Sequence, residues 1–295
     1  MNILIAESGS TKTDWCLIQD GHPDLRLQTD GLNPWIISVD KIEQILVKEL
    51  EPYFNFNQID EFYFYGAGLG ASSNCDKLND LLSDLFATAE IELNTDILGV
   101  ARAAFVDEKG IACILGTGSN ACLYDGKSII FQVPSLGYLI GDEGSGSYLG
   151  KLLLKARFEQ MLPATIQEKF EKQYNIDLPV ALERIYRQPQ PNIFLSGFCP
   201  FIAENINDPF IHSLVSKAFG DFFKSIVARI PQSHNHSLIL GGSVAWYFRE
   251  ILIEVALSLD YSIKKIIQSP IEGLIEYHKK NPEVVGLLFP GFFHD

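Results

Sequence analysis

Ile3-Leu4-Ile5-Ala6-Glu7-Ser8-Gly9-Ser10-Thr11-Lys12-Thr13-Asp14-Trp15 opens the chain on the pattern that decides its fold. Ile3 and Ile5 alternate as in a buried strand, and the stretch from Glu7 to Asp14 is small, polar and glycine-containing. Trp15-Cys16-Leu17-Ile18 then resumes strand character before Asp20-Gly21 closes a hairpin. A loop of this composition can aim backbone N–H groups and hydroxyls at one point, the arrangement an anionic phosphate requires. On these residues alone an ordinary hairpin turn is the more economical reading, because turns of such composition are common.

The same pattern returns about a hundred residues later. Ile111-Ala112-Cys113-Ile114-Leu115 is apolar, Gly116-Thr117-Gly118-Ser119-Asn120 is polar, and Ala121-Cys122-Leu123-Tyr124 is a strand ended by Asp125-Gly126. Cys16-Leu17-Ile18-Gln19-Asp20-Gly21 is echoed by Cys122-Leu123-Tyr124-Asp125-Gly126. Similarity at this separation predicts two related domains whose loops face each other across a cleft. Gly116-Thr117-Gly118-Ser119-Asn120-Ala121 fits the dinucleotide pattern only formally, because a strand follows it where that pattern needs a helix. Gly9-Ser10-Thr11-Lys12-Thr13 lacks the first glycine of a P-loop and also runs into a strand. Both failures point towards phosphate-binding hairpins.

The 295 residues suffice for one large or two medium domains, and a hydrophobic content of 47% makes the chain globular. A formal net charge of −14 argues against a nucleic-acid partner, since phosphate backbones are held by clustered Lys and Arg. The start of the chain has no basic segment followed by an apolar run, and no stretch approaches membrane-spanning length, so a cytoplasmic protein is expected. Cys16, Cys75, Cys113, Cys122 and Cys199 are odd in number and widely spaced, which favours free thiols over disulfides or a metal site.

Between the loops, Ser38 is placed to cap a helix carrying Ile42, Ile45, Leu46 and Leu50. Glu61 to Tyr65 reads as a strand, Leu78 to Leu85 as one face of a second helix, and Ile91 to Leu93 as a strand leading to Asp96 and a third helix. The run Gly137 to Ser147 sets Asp142-Glu143 among glycines ahead of a helix. It is either a favourable N-terminal charge arrangement of about 0.3–1 kcal/mol or a carboxylate offered to a sugar hydroxyl or metal-bound water. Gln160 to Phe223 is largely helical and carries no recognisable chemistry. Ser237 to Leu240 is a strand, Gly241-Gly242-Ser243 opens a helix near Val244, Ile263 to Gln268 is a last strand, and Pro282 to Phe289 is expected to be a terminal helix.

Taken in order, several motifs together resemble the sugar-kinase, actin and heat-shock ATPase superfamily. They are Glu7–Asp14, Gly31-Leu32-Asn33-Pro34-Trp35, Asn94-Thr95-Asp96, Gly116–Asn120, Gly141-Asp142-Glu143-Gly144-Ser145, Gly241-Gly242-Ser243 and Ser269-Pro270-Ile271-Glu272-Gly273. Within the superfamily they are similar to the N-acetylglucosamine kinase and BadF/BadG/BcrA/BcrD-type ATPase family. The resemblance implies an α/β fold of two ribonuclease H-like domains, duplicated mixed five-stranded sheets flanked by helices around an interdomain cleft. The division falls near Asp96–Phe105, into residues 1–104 and 105–295, with a terminal helix able to pack on the first domain.

The resemblance further implies ATP with Mg²⁺ as cofactors and an amino sugar, N-acetylglucosamine or glucosamine, phosphorylated at a primary hydroxyl. Thr11 and Thr117 would contact the ATP phosphates, with Gly9, Ser10, Lys12, Gly116 and Gly118 completing the cradle. Gly241, Gly242 and Ser243 would lie against the nucleoside, and Glu7 would hold Mg²⁺ through water. Asn33, Ser119, Asn120, Gly137 and Asp142 would bind the sugar, and Asp96 would sit beside the attacking hydroxyl as its base. Read without the resemblance, Asp96 is equally well an N-cap. The chain departs from the family where Ser135-Leu136-Gly137 replaces a common Gly-Trp-Gly, which leaves the sugar open. The rivals are an ATPase that activates an acyl-CoA enzyme and a non-catalytic sugar or nucleotide sensor. A homodimer is compatible with the family.

Overall fold

The computed structural model describes residues 1–69 and 72–280. The first sheet is built from β1 (Asn2–Ser8), β2 (Lys12–Gln19), β3 (Leu25–Asp30), β4 (Glu61–Gly66) and β5 (Glu90–Thr95). It is flanked by α1 (Val39–Glu49), α2 (Ser72–Leu85) and α3 (Asp96–Phe105). The second sheet is built from β6 (Gly110–Leu115), β7 (Ser119–Tyr124), β8 (Ile129–Gln132), β9 (Leu238–Gly241) and β10 (Ile263–Ile267). Between β8 and β9 lie α4 (Gly137–Ile140), α5 (Gly146–Phe158), α6 (Ala164–Gln173), α7 (Leu178–Tyr186), α8 (Pro191–Ser196), α9 (Cys199–Glu204) and α10 (Pro209–Ser225). After β9 come α11 (Ser243–Tyr247) and α12 (Arg249–Ser258), and after β10 comes α13 (Ile271–Lys280).

The strand orders are β3-β2-β1-β4-β5 and β8-β7-β6-β9-β10. In each sheet the hairpin and its third strand are antiparallel, and the two strands beyond are parallel to the first. The duplication read from the two loops therefore extends through both sheets, as expected. Every central strand is covered on both faces, so alternate residues enter different cores. Leu4 and Ala6 face α1 and α2 with Phe62 and Phe64, whereas Ile3 and Ile5 face the opposite way with Tyr63, Tyr65 and Leu274. Likewise Ile111, Cys113 and Leu115 join the large core under α5 to α12, while Ala112 packs with Ile97, Val100 and Ala101 of α3. Helix α3 thus packs against both sheets.

Ser38 caps α1 through the Lys41 N–H, as expected. Strand β8 and the single-turn helix α4 were not anticipated, since four residues apiece carry too little periodicity to be seen. The helix expected near Val244 is broken after Tyr247 and resumes at Arg249. The helix expected over 282–289 lies outside the described residues.

The preceding helix, α13, returns to the first sheet, where a buried polar cluster fastens it. Arg102 Nη1 donates to Tyr65 Oη at 2.8 Å and to Glu92 at 2.9 Å, which leaves the Tyr65 hydroxyl to donate to His278 Nε2 at 2.9 Å. The His278 ring also stacks on Tyr63. Burial first, then the Arg102 charge, hold His278 down to about 3 from 6.5, so it is neutral in the fold. A histidine kept neutral contributes stability that is present above pH 6.5 and is lost as pH falls towards 3. His278→Gln is therefore expected to melt with a shallower loss on acidification than the unmodified chain, by a few kcal/mol across that window. Carboxyls pushed upward, such as Asp96, act in the opposite direction in both proteins, so the difference isolates the histidine. Parallel curves of melting temperature against pH would show that His278 titrates as freely in the fold as outside it.

Candidate active site

The two hairpin loops are shaped by their own backbone. Gly9 N–H bonds to Lys12 O at 2.9 Å, and Gly116 N–H bonds to Gly118 O at 3.0 Å. The first loop is anchored at its base by Ser8 Oγ and Thr13 Oγ1, 2.8 Å apart and buried, with Ser8 Oγ also accepting the Leu32 N–H. The second is anchored by the start of α5, where Gly146 N–H and Ser147 N–H donate to Gly116 O and Thr117 O. The loops meet: Thr11 Oγ1 and Thr117 Oγ1 are 3.5 Å apart. Two hydroxyls from duplicated turns on different sheets thus converge on one point. A phosphate chain laid there would take up that contact from both sides.

Around this point runs a cleft of about 480 Å³, within the range that holds a small molecule. Every residue singled out from the sequence as a site candidate lines it. Glu7, at the end of β1, lies opposite Asp14 in the hairpin register. Burial, then repulsion from Asp14 and Asp96, pushes its carboxyl up to about 8, and Lys12 only partly offsets this. Lys12 Nζ is 2.7 Å from Asp14 Oδ2, and Asp14 also accepts from Gln28 and, from the segment after β10, from Ser269 Oγ at 3.2 Å. Three acidic groups with one lysine between them are an arrangement that a divalent cation would relieve. Among the described residues no three His, Cys, Asp or Glu side chains converge closely enough for direct ligation, so such an ion would be held largely through water.

Asp96 is the first residue of α3, after Thr95 at the N-cap position, whose side chain makes no capping hydrogen bond. The Asp96 carboxylate accepts the Ile97 N–H at 2.8 Å, and burial nonetheless pushes it up to about 6. A half-buried carboxyl poised near neutrality on the cleft wall is a candidate proton acceptor. Asn33 is 8% exposed; its amide donates to Ser10 Oγ at 3.2 Å and accepts the Trp35 N–H at 3.0 Å. That leaves one amide hydrogen and one lone pair for a ligand. Asp142 has the left-handed φ of +58°, accepts the Ser119 N–H at 3.3 Å, and is pushed up to about 6 by burial. A non-glycine residue held in that region beside the second loop is strain of the kind that positions a carboxylate.

Sequence reasoning missed several cleft residues. Trp35, 67% exposed, lines the cleft as an apolar plate, a role that the Gly31–Trp35 motif alone does not reveal. Tyr138 and Asn192 also line it. Asn192 comes from α8, inside the stretch that carried no recognisable chemistry, and its only signal was the Pro189-Gln190-Pro191 break that starts this helix.

No protein-family model matches the chain. Glucosamine kinase GspK of Vibrio cholerae is 26% identical over 191 residues, 61% of this chain and 62% of that protein, so the match spans less than two thirds of the relative's length. A crystal structure from Porphyromonas gingivalis, of a protein provisionally named N-acetylglucosamine kinase, is 42% identical with a TM-score of 0.89, covering 95% of this chain and 99% of its own. A similarly named Chromobacterium violaceum structure, 19% identical with a TM-score of 0.74, covers 94% of this chain and 98% of its own and speaks to the fold alone.

Proposed function

Because this chain belongs to the N-acetylglucosamine kinase family of sugar kinases, we propose that it transfers the γ-phosphoryl group of ATP to the primary hydroxyl of an amino sugar, N-acetylglucosamine or glucosamine. The observation that carries the reading is the approach of Thr11 to Thr117 at 3.5 Å in the cleft that also contains Asp96. In this reading the two loops cradle the phosphates, and Gly241, Gly242 and Ser243 support the nucleoside. Glu7, with Asp14 beside it, would hold Mg²⁺ through water, and the ion supplies charge neutralisation of the phosphates when bound. Asn33, Ser119, Asn120, Gly137 and Asp142 orient the sugar, and Asp96 accepts the proton of the attacking hydroxyl. Catalysis is then mostly positioning and charge stabilisation. The division at residues 104 and 105 is part of the same proposal, as is a cytoplasmic location; among the described residues no helix is long and apolar enough to cross a membrane.

The test is ADP release from ATP and Mg²⁺ across a panel of hexoses and hexosamines. Turnover with N-acetylglucosamine or glucosamine well above that with glucose supports the proposal, and none with any sugar overturns it. The pH profile follows from Asp96. Only its ionised form can accept a proton, so kcat/KM for the sugar should rise with pH through about 6 and fall tenfold per unit below it. The limb should persist in Asp142→Asn, because Asp96 is still present. A profile flat to well below pH 6 would remove Asp96 from the proton transfer.

A further inference from the structure

After β4 the chain turns through Ala67, Gly68 and Leu69, and the turn is fastened on either side of its glycine. Ala67 N–H donates to Ser8 O at 2.9 Å, and Leu69, 6% exposed, is packed in the core with Phe62 and Phe64. Between these anchors Gly68 has a φ of +85° and lines the cleft together with Asn33 and Trp35. The fit is close. A Cβ at Gly68 would fall on Asn33 Oδ1, its nearest neighbour, and would stand 2.8 Å from Trp35 Cδ1 and 3.1 Å from Asn33 Cγ. Only glycine leaves both side chains where they are.

What Gly68 admits is one orientation of the Asn33 amide. Asn33 Nδ2 donates to Ser10 Oγ at 3.2 Å, Oδ1 accepts the Trp35 N–H at 3.0 Å, and the Gly68 backbone closes the space beside Oδ1. An alanine at 68 would drive Oδ1 and the indole edge away. The atoms in its path belong to side chains, so the overlap is released by turning the amide and the indole, and the strand beneath need not move. The first loop keeps its shape through backbone bonds of its own, Gly9 N–H to Lys12 O and Gly31 N–H to Thr11 O at 3.1 Å. The injury therefore falls on the surface offered to the sugar and spares the phosphate cradle.

We infer that Gly68 is a positioning residue for the sugar: by excluding a side chain, it holds the Asn33 amide and the Trp35 indole in the arrangement that receives the acceptor. The inference rests on the amino-sugar kinase reading and gives the turn after β4 a part in sugar binding.

The experiment compares steady-state kinetics with ATP, Mg²⁺ and whichever amino sugar the unmodified enzyme turns over. The variants are Gly68→Ala, Gly21→Ala, and Gly68→Ala placed in a chain that already carries Asn33→Ala and Trp35→Ala. Gly21 has a positive φ of +77° but nothing within 4 Å of its Cβ, so it separates backbone strain from contact. Gly68→Ala should raise KM for the sugar about tenfold, the scale of one lost hydrogen bond, and change kcat and KM for ATP by less than about threefold. Gly21→Ala should leave the KM for the sugar unchanged. With Asn33 and Trp35 already truncated, Gly68→Ala should alter kcat/KM for the sugar by less than about twofold, because the groups it displaces are gone. An unchanged KM for the sugar, an equal rise in KM for ATP, or the full loss repeated in the truncated chain overturns this inference and leaves the kinase reading standing. A Gly68→Ala chain that does not fold overturns it as well, since the injury would then be structural. Turnover of no sugar by the unmodified enzyme overturns both readings.

Discussion

Asp96→Asn is expected to lower kcat by about a thousandfold, within the range of 10² to 10⁴ for a positioned general base, with little change in ATP affinity or melting temperature. The substitution keeps size and keeps the oxygen that accepts the Ile97 N–H, so the first turn of α3 loses almost nothing. What disappears is the capacity to take a proton. The carboxyl is well placed for this because burial has raised it to about 6, near the working range of a base. It also raises Glu7, so its neutralisation should ease ionisation of that residue and if anything favour the metal–nucleotide. Unchanged turnover in Asp96→Asn, with the fold intact, would move the base elsewhere in the cleft.

Gly242→Ala is expected to produce the largest combined loss, in stability and in ATP binding. Gly242 has φ of +111°, and a Cβ there would stand 2.5 Å from the Leu115 carbonyl oxygen and 2.9 Å from its carbon. Both obstacles are backbone, so relief requires moving either the end of β9 or the root of the second loop. The strain alone is about 1–3 kcal/mol and the overlap adds a similar amount, against a total stability of about 5–15 kcal/mol. The melting temperature should drop by several degrees at least, and KM for ATP should rise tenfold or more because Thr117 is carried by the displaced loop. Gly21→Ala is the matching control. It also has a positive φ, +77°, but nothing lies within 4 Å of its Cβ, so it should cost only about 1 kcal/mol and leave KM alone. Equal effects from the two substitutions would mean that the contact between Gly242 and Leu115 has no part in holding the loop.

The fold was legible because its repeat is written twice in local terms. Apolar strands flanking a Gly, Ser and Thr loop, closed by Asp20-Gly21 and again by Asp125-Gly126, show period and turn chemistry within a few residues. The cleft candidates were legible for the same reason, since most sit on glycine-rich turns at strand ends. What the sequence hid is what depends on distance. Nothing local marks Arg102, Tyr65 and His278 as one buried cluster, because they come together only when α13 folds back on the first sheet. Asn192 arrives in the cleft from a helix whose own pattern is unremarkable, and Trp35 is marked as a plate only by the exposure that the fold gives it.

Crystallising the enzyme with Mg²⁺, a non-hydrolysable ATP analogue and N-acetylglucosamine is the most direct examination of the claim that two repeated hairpins share one nucleotide. The γ-phosphate is expected between Thr11 and Thr117, with the sugar's primary hydroxyl hydrogen-bonded to Asp96. A nucleotide bound elsewhere on the chain, or one touching a single loop while the other faces solvent, would contradict the account.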